Sequence, residues 1–140
     1  ARSDIWGLNK LGANVSLVGP TTLMPVEVEK MGVDVYSDLE AGIKDADIIY
    51  LLRIQRERQD KGFFPTIEEY TQFYGLREEH FAQAADDVTI MHPGPINRGI
   101  EISADVAYGD QSVIERQVAN GVAIRMALLY LLIGGGNQDE

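Results

Sequence analysis

Apolar and polar positions change period repeatedly along the chain. Ile5, Leu8 and Leu11 recur every three residues, which predicts a helix over 3–11 stopped by Gly12. Residues 14–18, NVSLV, form a short β-branched run closed by the turn signal Gly19-Pro20. A short helix is expected over 25–31, with Pro25 tolerated in its first turn, and a strand over 33–36. Ser37 or Asp38 can cap a helix reaching Ala46. Residues 47–52, DIIYLL, are almost wholly apolar, the pattern of a strand covered on both faces. Helices are expected over 66–74 and 77–84, on either side of Gly75, and a fourth strand over 88–91. Ser112 is expected to open the last helix, with Glu115 completing a capping box. That helix runs to about Ile133 and stops at Gly134.

Strands alternating with helices imply right-handed crossovers. The expected fold is therefore α/β, a mostly parallel sheet with helices on both faces in a Rossmann-like three-layer sandwich. Ligands bind such sheets beyond the carboxyl ends of the strands, so the segments of interest are 19–22, 53–60 and 92–99. The sheet type invites a dinucleotide reading, but the glycine fingerprint is absent. Gly19 is followed by Pro20-Thr21-Thr22-Leu23-Met24, no glycine follows Leu52 until Gly62, and Gly134-Gly135-Gly136 comes after a helix. A phosphate-binding P-loop is also absent. No internal repeat, linker or second domain is visible, and 59–65 is the most loop-like internal stretch.

Composition narrows the class. The chain has 140 residues, 45% apolar and 24% charged, which is ordinary for a soluble fold and unlike a disordered or collagen-like chain. It has no cysteine, which excludes disulfides and thiolate metal sites. Twelve basic and 22 acidic residues leave a net charge of −10, which opposes nucleic acid and anionic membranes at long range. The only dense basic cluster, Arg53, Arg56 and Arg58, is interleaved with Glu57 and Asp60. The longest apolar stretch, 121–136, is shorter than the ~20 residues of a spanning helix and is interrupted by Arg125. No signal-peptide pattern opens the sequence. The expectation is a soluble, cytoplasmic protein and, since Ala1 rather than Met stands first, part of a longer chain.

Two segments carry candidate chemistry. In Leu51-Leu52-Arg53-Ile54-Gln55-Arg56-Glu57-Arg58 an apolar strand runs into alternating polar residues, so an extended tip would put Arg53, Gln55 and Glu57 on one side. Arg53 could hold a carboxylate by two parallel hydrogen bonds; equally, the segment could be a solvated charged loop. In His92-Pro93-Gly94-Pro95 two prolines stiffen the backbone and remove donors, so the Pro93 and Gly94 carbonyls could face a ligand. Pro95 is a candidate for a cis peptide. The alternative is a rigid turn beside a buried structural His92. No metal-ligand spacing is present. Val118, Val122, Ala123, Met126, Leu129 and Ile133 repeat at helical spacing and are read as core, as are Tyr70, Phe73 and Tyr74. Arg125 sits either at the helix rim or against another domain.

Three strings together resemble the aspartate carbamoyltransferase family: MHPGPINRGIEI from Met91, LLRIQRER from Leu51 and VANGVAIRMALL from Val118. The opening ARSDIWGL is similar to the start of the family's carboxyl-terminal half, and the likeness covers essentially all 140 residues. The related ornithine enzyme would carry a cysteine-containing H-C-L-P in place of 92–95. The resemblance implies that residues 1–140 are an aspartate-binding domain without its carbamoyl-phosphate domain. It matches Arg53 and Gln55 to aspartate-binding residues, Glu57 to the acid that holds the arginine, and Arg58 to an arginine engaged on domain closure. It matches Pro93 and Gly94 to backbone contacts with the carbamoyl group and attacking amine, and the Gly94–Pro95 bond to a cis peptide.

The resemblance further implies carbamoyl transfer from carbamoyl phosphate to the α-amine of L-aspartate, in pyrimidine synthesis, without a cofactor. It implies a catalytic homotrimer with possible regulatory chains or a partner enzyme of the pathway. The family's S-T-R-T phosphate loop, its carbonyl-polarising histidine and the lysine delivered by a neighbouring subunit are not in these residues, so the piece alone is expected to be inactive. A further aspartate-binding arginine is expected just before Ala1. The competing readings are a non-catalytic anion-binding or interaction module and, less favoured for want of the glycine fingerprint, a nicotinamide-dependent oxidoreductase half.

Overall fold

The computed structural model describes residues 2–54 and 66–134. Helix α1 (Arg2–Lys10) leads through Gly12, whose φ of +81° ends it in the left-handed region open to glycine. Strand β1 (Ser16–Val18) and strand β2 (Asp34–Tyr36) pair in parallel, Leu17 opposite Val35. Strand β3 (Ile48–Tyr50) and strand β4 (Thr89–Met91) form a second parallel pair, Ile49 opposite Ile90. Helix α2 (Leu39–Ile43) is capped by Asp38, which accepts the Ala41 N–H at 2.8 Å. Helix α3 (Ile67–Tyr74) begins with a complete Thr66–Glu69 capping box.

Side-chain alternation along the strands builds three layers. Val15, Leu17, Val33 and Val35 pack with Ile5 of α1 and Val28. Their neighbours Val18 and Tyr36 point the other way, toward α2: a Cβ added at Gly42 would lie 2.3 Å from Val18 and 3.1 Å from Tyr36. The glycine is what lets α2 approach the strands this closely. The larger core joins Leu39 and Ile43 of α2, Ile49, Leu76, Val88, Ile90 and Ile102 to Val106 of helix α4 (Ala104–Ala107) and Ile114 of helix α5 (Ile114–Leu129).

Several expectations are corrected. Residues 28–31 and 78–83 are single 3₁₀ stretches rather than α-helices. Ile48 is 54% exposed, so β3 is not covered on both faces. Ser112 is not the N-cap residue of α5: Val113 holds that position without a side-chain bond, while the Ser112 hydroxyl, one residue earlier, donates to the Ala107 carbonyl at 2.7 Å and accepts the Ile114 N–H at 3.5 Å. The six positions read as core, five in α5 and Ile133 in the π-helical turn Tyr130–Gly134 that continues it, are all exposed. The helix meets the core through its first turn, where Ile114 is buried, and the apolar residues of its later turns are exposed. From Ile114 to Ile133 it extends 20 residues at mean hydropathy 1.2, so by length and composition it could span a membrane, contrary to the reading of the stretch as too short. Phe73 is likewise exposed, while Tyr70 and Tyr74 stack at 5.3 Å.

Candidate functional site

The β3–β4 register decides which loops meet. Tyr50 lies opposite Met91, and the Leu51 N–H donates to the Met91 carbonyl at 2.8 Å. Segments 51–54 and 92–97 therefore leave the carboxyl ends of adjacent parallel strands side by side, where an α/β sheet offers its binding edge. Arg53 is half-buried, with its Nε shielded from solvent. The two segments are joined directly: Asn97 Nδ2 donates to the Ile54 carbonyl at 3.2 Å. Gln55, Glu57 and Arg58 lie outside the described residues.

The second segment is a tight bend. Gly94 has a φ of +69°, and the Gly94–Pro95 peptide is cis. The Gly94 N–H donates to His92 Nδ1 at 2.9 Å. That bond assigns the tautomer: Nδ1 accepts, so Nε2 carries the proton of the neutral ring. Nε2 lies 3.3 Å from Glu101 Oε1, and both residues are fully buried. The same Glu101 oxygen accepts the Asn97 N–H. Gln117 on α5 accepts the His92 N–H at 2.8 Å and donates to the Tyr50 hydroxyl at 3.2 Å, bracing the ends of β3 and β4 together. Among the described residues no backbone N–H donates to the Pro93 or Gly94 carbonyl, which leaves both able to accept from a ligand.

Burial pushes the Glu101 carboxyl upward, but hydrogen bonds from His92, from the backbone of Asn97 and of Glu101 itself, and from the Asn97 side chain outweigh it and hold the group below its ordinary range. Burial, then the Glu101 charge, then Tyr74 push the Tyr70 hydroxyl up to about 12, so it remains protonated. Tyr50 is raised by burial and by Asp4, against the hydrogen bond to Gln117. His92 has no access to solvent and cannot meet a substrate; it acts on the bend through Gly94. No cluster of three or more potential metal ligands occurs among the described residues.

Asn97, Glu101 and Gln117 were not singled out from sequence. Glu101 had a weak signal, a carboxylate between Ile100 and Ile102. Gln117 had none, because its partners are 25 and 67 residues away.

A family model described as the Asp/Orn binding domain of aspartate/ornithine carbamoyltransferase matches residues 1–132. The aspartate carbamoyltransferase catalytic subunit of Halothermothrix orenii is 59% identical over all 140 residues, which cover 45% of its length. That of Desulforamulus reducens is 57% identical over 135 residues, 96% of this chain and 43% of its own. Among solved structures, ornithine carbamoyltransferase from Pyrococcus furiosus superposes with a TM-score of 0.78 at 27% identity, over 96% of this chain and 46% of its own. Aspartate transcarbamoylase from Trypanosoma cruzi, solved with carbamoyl phosphate, gives 0.66 at 26% identity, over 83% and 39%. The chain thus spans less than half the length of the curated relatives it matches.

Proposed function

We infer the function from family membership and from the two joined loops: the chain belongs to the aspartate/ornithine carbamoyltransferase family and corresponds to its Asp/Orn-binding domain. We propose that it is the aspartate-binding half of aspartate carbamoyltransferase. The whole enzyme would transfer the carbamoyl group of carbamoyl phosphate to the α-amine of L-aspartate, giving N-carbamoyl-L-aspartate and phosphate. The amine attacks the carbamoyl carbon, the tetrahedral intermediate expels phosphate, and the amine gives up a proton. The reading needs no cofactor, because positioning and electrostatics supply the acceleration.

The observation that supports this reading is that the segment carrying Arg53 leaves β3 beside the Pro93–Gly94 bend leaving β4, the two segments joined by the bond from Asn97 to Ile54. Aspartate presents a second carboxylate where ornithine presents an ammonium, so an arginine favours the dicarboxylate. The Pro93 and Gly94 carbonyls suit the N–H groups of the amine and carbamoyl nitrogen. Gln55, Glu57 and Arg58 take the roles the family pattern suggests: a second substrate donor, an acid orienting Arg53 and a contact made on domain closure. On this reading the exposed apolar turns of α5 rest on the rest of the enzyme, the enzyme is a cytoplasmic homotrimer of catalytic chains, and its product enters pyrimidine synthesis.

The test is carbamoyl transfer by the intact catalytic chain with aspartate and with ornithine, beside the 140-residue chain alone. Turnover of aspartate by the intact chain, and none by the short chain, is expected. Turnover of ornithine instead, or no transfer to either, overturns the reading; the second outcome would favour a non-catalytic anion-binding module.

A further inference from the structure

The two loops of the site arise from different strands, and parallel pairing fixes only where they begin. Something must hold the segments together beyond the strands, and two residues to which the resemblance gave no role of their own are built to do so. Glu101 is 1% exposed, a burial that a carboxylate tolerates only with partners. Its Oε1 accepts the Asn97 N–H and faces the protonated Nε2 of His92. With its backbone so held, Asn97 directs its amide across to the Ile54 carbonyl, next in sequence to Arg53. The connection therefore runs from the bend, through His92, Glu101 and Asn97, to the residue beside the guanidinium. It crosses 43 residues of sequence by one side-chain bond.

We propose that Asn97 and Glu101 are positioning residues that clamp the 92–97 bend to the 51–54 segment and so set the offset between Arg53 and the Pro93–Gly94 carbonyls. The inference rests on the reading of those groups as contacts to aspartate. A four-carbon dicarboxylate must reach the guanidinium with one end while its amine meets the carbonyls, so the offset selects substrate length. A displacement of about 1 Å in such an arrangement costs on the order of 10²-fold in rate. Asn97 contacts no reacting atom in this account, and its effect is confined to the aspartate side of the site.

The test uses the intact catalytic chain. Asn97→Ala removes the bond to Ile54, together with the side chain's contribution at Glu101, and keeps the Asn97 N–H to bind Glu101. The expected result is an aspartate KM raised about tenfold or more, a carbamoyl phosphate KM within about twofold of the parent, and partial recovery in Asn97→Gln, which restores an amide. Glu101→Gln keeps an acceptor for the Asn97 N–H and is expected to act more mildly than Glu101→Leu. An aspartate KM unchanged in Asn97→Ala, or both KM values rising together with no recovery in Asn97→Gln, overturns the clamp. Should Asn97→Ala fail to fold, Asn97→Ser, too short to reach Ile54, is read the same way. Arg53→Ala is run in parallel. If it raises the aspartate KM while the Asn97 variants do not, the clamp alone fails; if neither does, the aspartate reading itself fails.

Discussion

Replacing Gln117 with leucine should loosen the ends of β3 and β4 at once. The substitution removes the acceptor of the His92 N–H, bonded at 2.8 Å, and the donor to the Tyr50 hydroxyl at 3.2 Å. His92 has no solvent exposure, so its N–H would be left buried and unpaired, at about 1–3 kcal/mol. The Tyr50 contact is neutral and only part-buried, contributing about 0.5–1 kcal/mol. Leucine recovers some of this by apolar contact, which leaves a net loss of about 2 kcal/mol. For a chain of this size that lowers Tm by roughly 6–10 °C. Gln117→Glu is the control: a carboxylate can accept from both the His92 N–H and the Tyr50 hydroxyl, and should recover most of the loss near neutral pH. Thermal unfolding followed by circular dichroism measures both variants. A leucine variant melting within a degree of the parent would refute the bracing role.

Gly75→Ala should destabilise by about 1–3 kcal/mol, because the new Cβ would lie 2.5 Å from the Thr71 carbonyl oxygen and 2.6 Å from that of Ile100, both backbone atoms unable to turn aside; urea midpoints measure it. Acid should destabilise partly through Glu101. Its folded-state carboxyl is held below the ordinary 4.5, so its contribution is complete above that value and is lost as pH falls through the lower, folded one; Glu101→Gln should flatten that limb of a stability–pH curve. The isolated chain should self-associate through α5, where Leu128, Leu131 and Leu132 are 52–81% exposed; exchanging all three for glutamine should lower the sedimentation-average mass toward the monomer.

The parts of the fold legible in sequence were those governed by near neighbours. Asp38 before α2 and Gly12 after α1 are local signals, and each lies where its chemistry placed it. The parallel pairing followed from alternation of element types. Long-range competition was not legible. Ser112 carries a good capping signature, yet the helix begins one residue later, with Val113 in the capping position. The periodic apolar positions of α5 have the pattern of a core face, but periodicity records only that a face is apolar, not what covers it. At the site, Arg53 and the 92–95 bend announced themselves by composition and position after a strand. Asn97, Glu101 and Gln117 did not, because polar residues bracing loops from a distance leave no local pattern.

Arg53 is proposed to grip a dicarboxylate beside the Pro93–Gly94 bend. Titrating succinate, a dicarboxylate without the attacking amine, into the intact catalytic chain saturated with carbamoyl phosphate tests it most directly by calorimetry. Losing a paired guanidinium–carboxylate contact costs about 3 kcal/mol, so Arg53→Ala should weaken binding on the order of 10²-fold. Arg53→Lys, with charge but no planar fork, should fall between the two. Equal affinity in the parent and Arg53→Ala would contradict the account.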